Sequence, residues 1–183
     1  MKKVHFSTAF LATALSVLVS CSSSIENLYE RQEVQIDRFV TSNESERVEY
    51  NGGSVRMVLK EGTSSETLDK DGVVSFYYAG YVFSGSVSSS KLFATNRSET
   101  ADAASWKLTP QDGSEVAFEI ETLKLDESSL IEGLKNGLVG VKGGEECYIL
   151  FSGKYGYGKR AQGTIPANSA LVYHIWVESI SNE

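Results

Sequence analysis

The sequence predicts an α+β fold in which one short helix packs on one face of an antiparallel sheet. Three stretches, at residues 74–82, 147–151 and 171–177, alternate apolar residues with others as half-buried strands do. A short run from Leu130 to Leu138 instead has its apolar residues at helical spacing. Strands and helices do not alternate along the chain as a parallel sheet would require, so an antiparallel sheet is favoured.

The first 20 residues have the pattern of an export signal. Lys2 and Lys3 precede an apolar run that is too short, and too interrupted by Ser and Thr, to span a membrane comfortably. The run ends in Leu-Val-Ser-Cys, which resembles the lipobox of bacterial lipoproteins, where cleavage precedes the cysteine and lipid is attached to it. We therefore predict a signal peptide at 1–20 and a lipid on Cys21 that anchors the protein to a membrane outside the cytoplasm. The next residue is not Asp, which by analogy favours the bacterial outer membrane; an ordinary secretory signal is the alternative.

Residues 21–53 are predicted to form the lipid anchor and a short stalk, followed by a folded domain at 54–183. At 25–40 a narrow apolar stripe indicates a short helix, which is either a solvated stalk that docks weakly on the domain or a dimerisation helix. The polar segment 41–53 ends in two glycines and is predicted to be the hinge. The domain then opens with a strand at 55–59 and a polar connection.

The short helix of the domain has recognisable ends. Ser128 or Ser129 is expected to cap it, and Gly137 and Gly140 are expected to end it. The residues on its apolar face are Leu130, Ile131, Leu134 and Leu138. This face is predicted to pack on the sheet.

Several potentially reactive side chains are predicted to have no catalytic role. Cys147 falls on the apolar side of its strand, so it is interpreted as a buried, inert residue. His174 falls on the other side of its strand and is predicted to be exposed. Two carboxylate pairs are interpreted as solvated surface rather than acid–base pairs; they are Glu145 with Glu146 and Glu119 with Glu121.

Length, charge and composition narrow the possible functions. With 183 residues, of which 41% are hydrophobic, the chain can bury one good core. Its formal net charge is −7 and becomes two units more negative if Lys2 and Lys3 leave with a signal peptide, which is the wrong sign for nucleic-acid binding. The two cysteines and two histidines, one of each within the first 21 residues, disfavour a disulfide framework and a histidine metal site, so neither metal nor cofactor is expected.

One stretch nearly matches a nucleotide-binding motif. Residues 153–159 have the pattern G-x-x-x-x-G-K, but Arg160 stands where a Ser or Thr must reach magnesium. The residues that follow, Ala-Gln-Gly-Thr-Ile-Pro, cannot promptly start the required helix. A nucleotide ligand is therefore not expected.

Four motifs recur in an order that resembles a known family. They are L-I-x-G-L at 130–134, G-x-K-x-G-E at 140–145, Y-G-Y-G at 155–158 and I-P-x-N-x-x-L-V-Y at 165–173. This order resembles the second half of an FKBP-type peptidyl-prolyl cis-trans isomerase, and the likeness extends over about residues 73–180. It implies an antiparallel sheet of five or six strands wrapped around one short helix, with a proline-binding pocket between them.

The same resemblance implies the residues of that pocket. The implied catalytic residues are Tyr157 and Tyr78: Tyr157 as the hydroxyl that donates to a substrate carbonyl, and Tyr78 as the pocket tyrosine of the strand before the first glycine turn. The implied substrate-binding residues are Phe93, Val116, Leu130, Ile131, Leu134, Ile165 and Tyr173.

The sequence departs from the family pattern at several positions. Ala94 stands where most active members carry an aspartate, Leu134 replaces the commonest floor residue, tryptophan, and Thr164 replaces a frequent isoleucine. A segment of about twenty residues, 96–114, is longer than the family's minimal version and forms either a flap beside the pocket or a surface loop.

The resulting hypothesis is a lipid-anchored isomerase that acts on proline-containing segments of exported proteins. The alternatives are a chaperone or adaptor of the same fold that binds such segments with little turnover, and a structural surface lipoprotein. The feature that separates the first two is Ala94.

Overall fold

The computed structural model of the protein describes residues 11–105 and 118–182, with side chains from residue 24 onward. Along this part of the chain the helices are α1 (Leu11–Ser42), α2 (Ser98–Ala103) and α3 (Glu132–Leu138), with a 3₁₀ turn at Ser89–Lys91. The strands are β1 (Arg47–Asn51), β2 (Ser54–Lys60), β3 (Val73–Val82), β4 (Leu92–Thr95), β5 (Glu121–Lys124), β6 (Glu146–Phe151) and β7 (Leu171–Ser181).

All the strand pairings are antiparallel and join the strands into one sheet in the order β1-β2-β6-β7-β3-β4. β4 and β5 both lie along the other edge of β3. β5 pairs with the first half of β3, Val73–Phe76, and β4 pairs with Ala79–Tyr81 of β3. The predicted α+β fold with an antiparallel sheet is therefore confirmed. The described sheet has seven strands where five or six were expected, because the polar segments that form β1 and β5 also pair at the sheet.

One face of the sheet, the inner face, packs against α3. Apolar residues of β3, β6 and β7 form its core together with Leu134 and Leu138 of α3. The helix lies very close to β6, because a Cβ atom at Gly133 or Gly137 would overlap Phe151 or Ile149. As predicted, Cys147 belongs to this core, is fully buried, and has its pKa raised well above the usual value by burial.

The opposite face, the back face, is covered by α1. Ile36 and Val40 are 2% and 4% exposed and belong to a second core with residues of β2, β3, β6 and β7. Phe39 packs edge-on against Phe83 at 5.4 Å between ring centroids. The prediction of a short stalk helix that docks weakly was wrong, because α1 is longer and its apolar stripe is a buried part of the fold. No helix among the described residues combines the length and apolar character needed to cross a membrane.

The predicted hinge and domain boundary also need correction. β1 lies inside the segment 41–53 and pairs with β2 from Arg47↔Val58 to Asn51↔Ser54. The turn between them is made by Gly52 and Gly53, whose φ angles of 54° and 84° suit glycine. A boundary at residue 54 would divide this hairpin, so the folded unit includes β1 and the docked part of α1.

Glu145 is buried rather than solvated. Its side chain is 0% exposed, with Oε1 at 3.3 Å from Arg56 Nε and Oε2 at 3.4 Å from Arg47 Nη2. Burial raises the pKa of Glu145, while the two arginines oppose that shift. Arg56 also donates to the carbonyls of Gly137, Val139 and Gly140, so its guanidinium satisfies backbone groups at the end of α3.

His174 is also less exposed than predicted. Its side chain is 16% exposed, since the rings of Tyr148 and Trp176 lie 4.5 Å and 3.7 Å from it between centroids. His174 Nε2 is 2.8 Å from Glu146 Oε1. Burial nevertheless lowers the pKa of His174 to about 4, which means that the ring is neutral at pH 7.

Candidate functional site

A cavity of about 320 Å³ opens between the inner face of the sheet and the start of α3. Its lining is mainly apolar and aromatic. The lining residues are Phe76, Tyr78, Phe93, Ala94, Glu121, Ser129, Leu130, Ile131, Leu134, Tyr157 and Tyr173. Such a cleft, apolar with a few converging polar groups, is typical of a ligand-binding site.

Tyr173 lies at the centre of an aromatic cluster in this cavity. Its ring is 5.7 Å from Phe93 in an edge-to-face contact, 6.3 Å from Tyr78 and 6.0 Å from Phe151. Gly80 makes this packing possible, because a Cβ atom there would overlap Phe93. Burial, together with the nearby Tyr157 hydroxyl, raises the pKa of Tyr173 well above its usual value, so this phenol stays protonated.

The chain that leads into α3 forms one wall. α3 begins at Glu132, after Ile131 in an extended conformation, and neither Ser128 nor Ser129 caps it. Ser128 instead donates its hydroxyl to the Leu125 carbonyl at 2.7 Å. Leu130 and Ile131 therefore line the cavity from extended backbone rather than from a helix face, while Leu134, 4% exposed, lines it from α3.

Asn96 and Thr95 hold the backbone of Tyr78. The Tyr78 N–H donates to Asn96 Oδ1 at 2.6 Å, and Thr95 Oγ1 donates to the Tyr78 carbonyl at 2.7 Å. Asn96 Nδ2 also donates to the Glu119 carbonyl at 2.9 Å, which connects β3 to the approach of β5. Neither residue was predicted to belong to the site, although Thr and Asn at the end of a strand often form hydrogen bonds to nearby backbone groups.

Glu121 contributes a carboxylate to the cavity. It lies on β5 opposite Phe76, is solvent-exposed, and lines the cavity next to Tyr78. Burial, and secondarily the charge of Glu121, raises the pKa of Tyr78. Glu121 was predicted to be solvated surface only. Its place beside the cavity depends on how the chain returns to β3 after the 96–114 segment.

Tyr157 reaches the cavity from a tightly hydrogen-bonded loop between β6 and β7. Within this loop the N–H of Gly158 donates to the Gly153 carbonyl at 3.0 Å, and the N–H of Asn168 donates to the Gly158 carbonyl at 2.6 Å. The loop is joined to α3 because the Gly133 N–H donates to the Tyr155 carbonyl at 2.8 Å. The position of Tyr157 is therefore fixed by backbone contacts.

Two of the implied pocket residues are not placed on the cavity. Ile165 is 5% exposed and packs in the inner core, but it does not line the cavity. Val116 lies outside the described residues. The other implied residues, Tyr78, Phe93, Leu130, Ile131, Leu134, Tyr157 and Tyr173, all line it. Within the described residues, no group of three or more His, Cys, Asp or Glu side chains is arranged to hold a metal ion.

Comparison with known sequences gives two matches to one family. The sequence model described as FKBP-type peptidyl-prolyl cis-trans isomerase matches residues 64–178. FK506-binding protein 1 of Aspergillus oryzae is 32% identical over 53 residues, which are 29% of this chain and 46% of that protein. The chain thus spans about half the length of this curated relative.

Comparison with solved structures shows the same fold. The three FKBP domains of wheat FKBP73 superpose with a TM-score of 0.56 at 23% identity, covering 73% of this chain and 50% of that one. FkpA from Escherichia coli gives a TM-score of 0.54 at 18% identity, covering 98% of this chain and 75% of that one.

Proposed function

The chain belongs to the FKBP-type peptidyl-prolyl cis-trans isomerase family, and from this premise we propose that it isomerises X-Pro bonds in the cavity beside α3. The main support for the proposal is the aromatic cluster around Tyr173, which lines a cavity large enough for a proline ring. The proposed substrates are proline-containing segments of exported proteins.

The reaction requires rotation about an amide bond. The barrier is about 18 to 20 kcal/mol because the twisted amide loses its resonance. A site that binds the twisted form better than either planar isomer lowers this barrier without a nucleophile, metal or cofactor. An apolar wall of Phe93, Leu134 and Tyr173 would receive the proline ring and exclude water from the adjoining carbonyl.

Tyr157 is the proposed donor to the substrate carbonyl. Its side chain is half-buried, it lines the cavity, and its backbone position is fixed by the loop described above. A hydroxyl held in this way can donate a hydrogen bond in the rotated geometry without first reorganising. Tyr78 and Tyr173 remain protonated, so no ionised phenol competes for the substrate.

Ala94 lines the same cavity, where most active members of the family carry an aspartate. Rotation of the amide needs no proton transfer, so alanine at this position is expected to reduce the proposed activity rather than abolish it. The polar side of the cavity is instead supplied by Glu121 and Ser129.

A protease-coupled assay with a proline tetrapeptide tests the proposal on the full chain, because α1 and β1 are part of the fold. Tyr157→Phe should lower kcat/KM about tenfold, the effect of one lost hydrogen bond in the transition state. Phe93→Ala should lower it at least as much, since it removes an apolar wall. Tyr50→Phe is the matched control, because Tyr50 is 64% exposed and does not line the cavity.

The outcomes separate the possible functions. A kcat/KM that falls about tenfold or more in both cavity variants and is unchanged in the control supports an isomerase. Wild-type protein that binds the peptide without turnover is a binding module of the same fold, and absence of both refutes the proposal.

We further propose that the protein is a lipoprotein anchored through Cys21 to a membrane outside the cytoplasm, the bacterial outer membrane being favoured by Ser22. The motif Leu-Val-Ser-Cys supports this proposal. Cys21 falls within the range of α1, but its side chain lies outside the described residues. Palmitate labelling that is lost in Cys21→Ala and kept in Cys147→Ala would support it, and an unlabelled wild type would rule it out.

A further inference from the structure

The loop that carries Tyr157 is also in contact with α1. This segment, residues 152–168, is called the Tyr157 loop; it begins after β6 and ends just before β7. Its two ends lie against each other, since a Cβ atom at Gly153 would overlap the backbone of Asn168. The part of α1 around residues 29–33 lies directly over these two ends.

The side-chain amide of Gln32 joins the two ends of the loop. Gln32 Nε2 donates to the Asn168 carbonyl at 2.7 Å, and Gln32 Oε1 accepts from the Gly153 N–H at 2.9 Å. Both halves of one amide are thus used on the two ends of one loop, and this pair of bonds is called the Gln32 bridge. Gln32 is half-buried, so these bonds are partly protected from water.

Neighbouring residues of α1 reinforce the Gln32 bridge. The Tyr29 hydroxyl donates to Asn168 Oδ1 at 2.8 Å, and Ser152 Oγ donates to Glu33 Oε1 at 3.1 Å. Asn168 has a φ of 58°, a left-handed conformation that asparagine adopts more readily than most residues, and it is contacted there by both α1 and the loop.

Opposite charges also face each other across the gap between α1 and the loop. A cleft of about 520 Å³ separates the acidic Glu26, Glu30 and Glu33 of α1 from the basic Lys154 and Lys159 of the loop. This complementarity favours a loop drawn towards the helix.

Gln32 lies on the same face of α1 as the residues that pack in the back-face core. Gln32 lies four residues before Ile36 and eight before Val40, so all three point to the same side of the helix. The burial of Ile36 and Val40 therefore fixes where Gln32 can reach. Inside the loop, the Gly158 N–H bonds to the Gly153 carbonyl and the Asn168 N–H bonds to the Gly158 carbonyl. Both joined ends are therefore hydrogen-bonded to the residue next to Tyr157.

We propose that α1 positions Tyr157 over the cavity, with Gln32 as the positioning residue, so that the N-terminal helix is a working part of the site. The inference rests on the proposed isomerase function. It predicts that the activity depends on a helix that contributes no residue to the cavity lining.

The test compares Gln32→Ala with Gln35→Ala in the full chain. Gln35 lies nearly one turn further along the same helix and is exposed, so the control reproduces the change in composition and helix propensity. We expect kcat/KM for a proline tetrapeptide to fall about tenfold in Gln32→Ala, mainly through kcat. In Gln35→Ala it should stay within about twofold of the wild type.

Amide hydrogen exchange supplies a readout that does not require turnover. The Gly153 N–H should exchange about tenfold faster in Gln32→Ala and remain protected in Gln35→Ala. Gln32→Glu keeps the acceptor for Gly153 but cannot donate to Asn168. It should therefore retain protection of the Gly153 N–H while its activity falls to an intermediate level.

Equal activity of the Gln32→Ala and Gln35→Ala proteins would overturn the inference, as would faster exchange at Gly153 with unchanged kcat. If the wild type itself shows no turnover, the proposed function fails and the exchange data decide alone. In that case unchanged Gly153 exchange in Gln32→Ala overturns the inference, and faster exchange supports the positioning of the loop by α1.

Discussion

Ile36→Ala tests whether α1 is an integral part of the folded unit. Ile36 is 2% exposed in the back-face core. The substitution removes three buried carbon atoms, which at about 0.8 kcal/mol each is about 2.4 kcal/mol of lost transfer free energy. A residual cavity adds to this, so the free energy of unfolding should fall by about 3 kcal/mol. That is a large part of the roughly 5–15 kcal/mol by which such domains are typically stable.

The control is Val34→Ala on the same helix. Val34 is 48% exposed, and its replacement also exchanges a β-branched residue for alanine, which improves helix propensity by a similar small amount. It should therefore change the free energy of unfolding by less than about 0.5 kcal/mol. The difference between the two variants isolates the contribution of burial.

The assay is urea denaturation followed by circular dichroism and by tryptophan fluorescence. If α1 unfolds together with the sheet, both probes give one transition, and its midpoint is lower in Ile36→Ala. If α1 frays independently, the helix signal is lost early while the sheet transition keeps its midpoint. An Ile36→Ala midpoint equal to that of Val34→Ala would refute the argument that the helix is a structural layer.

Two further predictions concern buried ionisable groups. Burial lowers the pKa of His174 to about 4, below its value near 6.5 in the unfolded chain. The contribution of His174 to stability is therefore present above pH 6.5 and is lost as the pH falls towards 4. The free energy of unfolding should fall by up to about 3 kcal/mol over this range. Urea midpoints across this range should show the loss in the wild type but not in His174→Gln, and parallel curves would contradict it. Glu145→Gln leaves the buried Arg56 charge without its carboxylate and should lower the free energy of unfolding by about 3–5 kcal/mol in the same assay. The control Glu44→Gln changes an exposed residue and should leave the free energy of unfolding almost unchanged. A Glu145→Gln protein as stable as the control would show that the pair is dispensable.

Most residues of the cavity were implied by the resemblance of the sequence motifs to the FKBP family, and strand alternation placed only some of them on the sheet. Tyr78 and Tyr173 lie on strands whose alternation is visible in the sequence, and the pairing of β3 with β7 brings their rings to one face. Glu121 and Asn96 could not be anticipated in the same way. Their roles depend on where the chain returns to β3 after a long segment, and no local periodicity encodes that return.

Burial of polar residues was the least predictable property. Glu145 follows two glycines and reads as a surface turn, yet Arg56 and Arg47 from β2 and β1 reach it from more than eighty residues away. His174 alternates with core residues and reads as exposed, but rings from two strands cover it. In both cases a second element supplies the cover.

By itself, the sequence determined which stretches alternate as strands, which short run lies beside the sheet, and the order of motifs that places the chain in its family. These are local properties, because a period of two or 3.6 residues is set by backbone geometry. Only the tertiary structure decided that α1 covers the back face and that Gln32 joins the ends of the Tyr157 loop. The Gln32 contacts join residues more than a hundred positions apart. Whether such contacts form depends on which apolar surfaces meet when the chain folds.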